Sequence, residues 1–76
     1  MEHEQQFLVL FEEDKMEKNF TAYIPAFRLG ARGDTLEEAR ENAKDLAQMA
    51  IALARISGKS LPQGDAIVES ITVATI

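Results

Sequence analysis

The chain has no cysteine and no tryptophan. Without cysteine there is no disulfide framework and no thiolate metal site. The only histidine, His3, lies in a polar lead-in over residues 1–5, where a fraying terminus is a poor place for a catalytic group. That leaves no nucleophile–histidine pairing. No apolar run approaches the length of a membrane span, and no signal peptide precedes the first apolar segment, so a cytoplasmic protein without membrane contact is expected. Cations are scarce: 8 Lys and Arg stand against 13 Asp and Glu, a formal charge of -5. A surface of that sign argues against non-specific binding of nucleic acid and fits a basic partner. No internal repeat or low-complexity tract is present. At 76 residues the chain is a single domain, 1–76, and a domain of that size buries a modest core that assembly would reinforce.

Glycine and proline are also few, 4 and 2, so they punctuate the chain clearly. Neither occurs between Asp34 and Ser57, an alanine-rich stretch that predicts a long helix ending at Gly58. Thr35 is placed to cap its N-terminus, Glu38 to complete a capping box, and Asp34 to join them at the entry. Glu37, Glu38 and Glu41 oppose the positive end of the helix dipole, and Arg55 the negative end. Leu36, Ala39, Ala43, Leu46, Ala47, Ala50, Leu53 and Ala54 recur at helical spacing as one buried stripe. Its small alanines allow close approach to a sheet. Met49, Ala52 and Ile56 fall on a different face, with Ile51 at the other flank. They are either scattered exposed apolar groups or a second surface for self-association or a partner.

Before the helix, Phe7, Leu8, Val9, Leu10 and Phe11 form a continuous apolar run of strand length, as in a central strand covered on both faces. Residues 12–18 are a charged turn. Residues 19–24 alternate, with Phe20, Ala22 and Ile24 on one face and Thr21 and Tyr23 on the other, and Pro25 ends the strand. The two strands should form an antiparallel hairpin. Residues 27–33, with Gly30, Gly33 and exposed Arg28 and Arg32, read as a short edge strand. After Gly58 a loop containing Pro62 leads to residues 66–76. These are rich in Ile, Val and Thr and read as a last strand, with Ile67, Ile71 and Val73 on one face.

The predicted fold is therefore α+β, in the order β-β-β-α-β. The helix acts as a crossover that lets the last strand lie parallel to the first. That gives a four-stranded mixed sheet of order 3-2-1-4 with one helix on one face. The other face has no cover within the chain, and a second copy is the simplest one, which predicts a homo-oligomer, dimer or tetramer.

Tyr23-Ile24-Pro25, then Gly33-Asp34-Thr35-Leu36-Glu37-Glu38-Ala39, Asn42-Ala43 and Leu61-Pro62, resemble the HicB-like antitoxin family from about residue 19 to residue 62. The resemblance implies a partial ribonuclease-H-like fold and a role in binding and neutralising a small basic ribonuclease toxin of the HicA type. Full-length relatives often add a DNA-binding module after the last strand. This sequence shows none, so no direct DNA binding is expected. Pro25-Ala26-Phe27-Arg28-Leu29-Gly30-Ala31 stands where the family commonly has Pro-Asp-Leu-Pro-Gly-Cys. The alternative is a stand-alone HicB-like homo-oligomer of other role, such as a degenerate nuclease or a small-ligand-binding scaffold.

No enzyme is expected. A ribonuclease-H-type nuclease needs clustered carboxylates around divalent metal, one of them on the central strand. Residues 7–11 hold no acid. Glu12, Glu13 and Asp14 read as a solvated turn, and Gly30 and Gly33 lack the spacing of a phosphate loop. No catalytic, metal or cofactor residue is assigned, and no cofactor is expected.

Overall fold

The computed structural model describes residues 5–61 and 66–76. Three strands and one helix follow in order: β1 Leu10–Asp14, β2 Asn19–Ile24, β3 Leu29–Gly33 and α1 Leu36–Ile56. The strands form one antiparallel sheet of order β1-β2-β3. The expected four-stranded mixed sheet of order 3-2-1-4 is not formed. Residues 66–76 carry no strand and are exposed throughout. Their Ile, Val and Thr content favours an extended backbone, but propensity alone does not choose a pairing partner. His3 and Pro62 lie outside the described residues.

The first strand begins later than its apolar run suggests. Asp14 fixes the hairpin: its Oδ1 accepts from the backbone N–H groups of Met16 and Glu17, each at 3.0 Å, an Asx-type turn. Lys18 then takes a left-handed φ of 56° to re-enter the ladder. The resulting register pairs Leu10 with Tyr23 and Asp14 with Asn19. The second hairpin turns at Pro25, where the Phe27 N–H donates to the Ile24 carbonyl at 3.2 Å. Arg28 closes it at a φ of 54°. That turn uses residues 25–28, so β3 starts at Leu29.

Opposed residues of an antiparallel pair share a face. Ala22 lies between Phe11 and Ala31, and Phe20 between Glu13 and Gly33. This face meets α1. Ala22, Ile24, Ala39 and Ala43 form the buried core, with Phe7, Val9, Phe20, Phe27, Ala31 and Ala47 packed partly against it. Phe7 and Phe27 meet with ring centroids 4.8 Å apart, across the entrance to β1 and the turn before β3. The helix rests on β3 and β2, with Ala39 and Ala43 allowing the close approach.

Gly33 sets that approach. It is buried, and a Cβ built on it would meet the backbone of the first helical turn, at 2.7 Å from the Glu38 carbonyl carbon and 2.9 Å from the Ala39 Cα. Asn42 ties the same two elements together by donating from Nδ2 to the Arg32 carbonyl at 2.7 Å.

Both helix ends are closed by local bonds. The Glu38 N–H donates to Thr35 Oγ1 at 3.0 Å, while Glu38 Oε1 accepts from the Asp34 N–H at 3.3 Å. The returning bond thus reaches the residue before the cap. At the far end Gly58 adopts a φ of 69°. Its N–H donates to the Arg55 carbonyl at 3.2 Å, and that of Lys59 to the Ala54 carbonyl at 2.8 Å, a Schellman closure. Thr35→Ala should lower stability by about 1 kcal/mol, read as a lower urea midpoint with unchanged slope.

With 21 residues the helix is about 31 Å long, whereas strands of five or six residues span about 17–20 Å. The helix therefore outruns its sheet. The predicted stripe divides: Ala39 and Ala43 are buried, Leu46, Ala47, Ala50 and Ala54 are half-buried, Leu53, with no described strand beneath it, is 62% exposed, and Leu36, in the first turn, is exposed as well.

Candidate interaction surfaces

Three surfaces follow from this arrangement. The first is an apolar groove of about 430 Å³ between the N-terminal approach to β1 and the helix. Phe7, Val9 and Phe11 line one wall, and Ala43, Ala47 and Ile51 the other. It exists because α1 sits over β2 and β3 and leaves the flank beside β1 uncovered. Arg40 spans its rim, its guanidinium carbon 5.5 Å from the centre of the Phe11 ring, a cation–π contact. The odd-numbered alternation of Phe7, Val9 and Phe11 carried the signal for this wall. It was masked by Leu8 and Leu10, which make the run continuously apolar.

The second surface is the overhanging end of the helix. Met49, Ala52 and Ile56 are all exposed there, and they stand apart from the groove, whose helical wall is Ala43, Ala47 and Ile51. The third is acidic. Glu12, Glu13, Asp14 and Glu17 are exposed on the first hairpin, and Glu37, Glu38, Glu41 and Asp45 along the helix. Among the described residues the only ion pair is Lys44 to Glu41, 3.6 Å apart and solvent-exposed. Most of these carboxylates therefore have no cationic partner among the described residues. Asp14 is committed to its turn, and Glu38 and Asp34 to the helix entry.

The helix-free face of the sheet is more polar than the continuous apolar run implies. Glu12, Thr21 and Arg32 lie on it beside Leu10, Tyr23 and Gly30. Among the described residues no group of three or more His, Asp or Glu side chains is placed to hold a metal ion. Among them, too, no helix is long and apolar enough to cross a membrane.

No protein-family model, curated protein or solved structure matches this chain.

Proposed function

We propose that this chain is an antitoxin-like interaction protein of the HicB-like type, non-catalytic and cytoplasmic, that binds and neutralises a small basic ribonuclease toxin of the HicA type. The observation that carries the reading is the exposed set of carboxylates on the first hairpin and along the helix, largely unpaired among the described residues. Such groups attract a cationic surface and speed its encounter. A ribonuclease that engages RNA through its phosphates needs a surface of that sign. The residues from Tyr23 to Pro62 that resemble the family support the same assignment. No DNA-binding role is assigned to the chain alone. The working state is a homo-oligomer, dimer or tetramer, to which Met49, Ala52 and Ile56 contribute a contact.

The test is a pull-down with the basic protein encoded in the adjacent reading frame, beside a gel shift of the chain alone on its own promoter. The expected result is a complex of fixed stoichiometry that weakens steeply with added salt, and no shifted DNA. Failure to bind that protein, or tight sequence-specific DNA binding by the chain alone, overturns the reading. The double substitution Met49→Asp, Ile56→Asp should weaken self-association or toxin binding, because a contact there would bury unpaired carboxylates. A double variant unchanged in both removes those residues from the contact.

A further inference from the structure

Two parts of the described chain are left incomplete, and each matches the other. One is the outer edge of β1. On its inner side β1 pairs with β2, but no described residue pairs with its other side. A free edge presents a row of backbone N–H and C=O groups ready for another strand. Beside it runs the apolar groove walled by Phe7, Val9 and Phe11.

The other part is the segment 66–76. It contains no glycine or proline and a single charge, Glu69. Its β-branched residues suit an extended strand. Yet Ile67 is 85% exposed, Ile71 79% and Val73 67%. These three share one face in an extended chain, together with Glu69 and Thr75. Val68, Thr72 and Ala74 occupy the opposite face, so the segment has apolar groups for both sides of a sheet.

The surface area gives the scale of what is missing. The chain exposes 6892 Å² at a mass of 8.4 kDa. A folded monomer of that mass exposes about 4,600 Å². The excess, roughly 2,300 Å², is larger than the about 800 Å² that each partner of a standard stable interface buries. The radius of gyration, 15.0 Å, likewise exceeds the about 11 Å expected of a compact chain of this length.

We propose that two copies exchange their segments 66–76, each segment adding as a strand to the β1 edge of the other copy and closing its groove. One copy supplies the open β1 edge beside the groove and one unplaced strand. Two copies related by a two-fold axis satisfy both, and the exchange closes at two because neither copy keeps an unplaced segment for a third. Strand addition uses backbone bonds along the edge and side-chain pockets in the groove. Here Ile71 and Val73 enter the groove beside Phe7, Val9 and Phe11, and Glu69, on the same face, stays at the rim where Arg40 lies. Reach is sufficient: residues 66–76 extended span about 36 Å, whereas the five residues of β1 span about 17 Å and, with their approach from Phe7, about 26 Å. This contact runs along Glu12, Glu13 and Asp14 of the first hairpin and leaves Met49, Ala52 and Ile56 aside; dimer mass and strand contact are read without any toxin present, so it stands or falls independently of the toxin assignment.

The experiment uses the full chain, whose lack of cysteine allows a single label site. A nitroxide is attached through Thr72→Cys in unlabelled protein. This is mixed in denaturant with isotope-labelled wild type and refolded. The expected result is a particle of twice the chain mass by light scattering, with paramagnetic broadening of the residue 7–13 amides in the wild-type copies. A folded monomer at high micromolar concentration overturns the proposal. So does broadening confined to samples in which label and isotope share one chain, which would mean closure within the chain. Broadening at Met49, Ala52 and Ile56 with the residue 7–13 amides unaffected overturns it in favour of pairing through the helix alone. Ile71→Lys should raise the dimer dissociation constant by at least tenfold, and an unchanged constant counts against the exchange.

Discussion

Gly33→Ala is expected to destabilise the fold severely, by about 3 kcal/mol or more, at or above the upper end of what overpacking costs. The added methyl would lie 2.7 Å from the Glu38 carbonyl carbon and 2.9 Å from the Ala39 Cα, and against the Ala39 backbone nitrogen. These are backbone atoms of the first helical turn and cannot rotate away. The helix would have to lift from β3, and Ala39 and Ala43 would lose the contact that buries them. It would also strain the Asn42 bond to the Arg32 carbonyl. Native stabilities run at roughly 0.05–0.15 kcal/mol per residue, about 4–11 kcal/mol for a chain of this length, so a loss of this size removes at least a quarter of it. Urea unfolding followed by circular dichroism measures it. A midpoint within error of wild type would mean that the helix sits farther from β3 than described. Gly30→Ala is the control: its added methyl comes no closer than 3.5 Å to the Ala22 carbonyl oxygen, so a small effect is expected.

Ile24→Ala should cost about 2–5 kcal/mol. Ile24 is the largest fully buried side chain, 1% exposed, at the end of β2 and under the helix. Truncation removes the one bulky group in a core otherwise made of alanines, and a fold this small has few ways to collapse around the hole. Leu46→Ala is the informative comparison. The helical stripe makes Leu46 a central core residue, but it is only half-buried, so its loss should be smaller than that of Ile24. Equal losses at the two positions would show that Leu46 is covered in solution by something beyond its own chain.

What could be read from the residues is what local chemistry decides. The alternation of residues 19–24, the Thr35 and Glu38 signals and the glycine after the helix are contained within a few residues each, and each appears in the structure as a strand, a cap or a closing turn. Other features depend on distant partners and were not legible. The apolar run of residues 7–11 suggested where β1 lies, but the Asp14 turn sets the register and moves the strand to Leu10–Asp14. The stripe on the helix gave its buried face but not where the sheet beneath it ends, which is why Leu53 is exposed. Residues 66–76 have the composition of a strand but no information within them about what they pair with. Of the surface residues, Met49, Ala52 and Ile56 were visible by helical spacing, whereas the groove emerges only once α1 is seen to lie over β2 and β3.

Every pairing in the sheet joins neighbours in the chain, and the helix that covers it follows directly on β3. Contacts of this kind close short loops, and chains dominated by them fold fast, ahead of slower meetings between molecules. The core can therefore form in a single molecule before any second one is encountered. Exchange between copies is second-order in protein, so the interval between folding and pairing lengthens as expression falls. During that interval an apolar segment and a bare sheet edge are open to whatever β-edge passes by. Cellular dose then governs whether residues 66–76 meet their own kind or another protein.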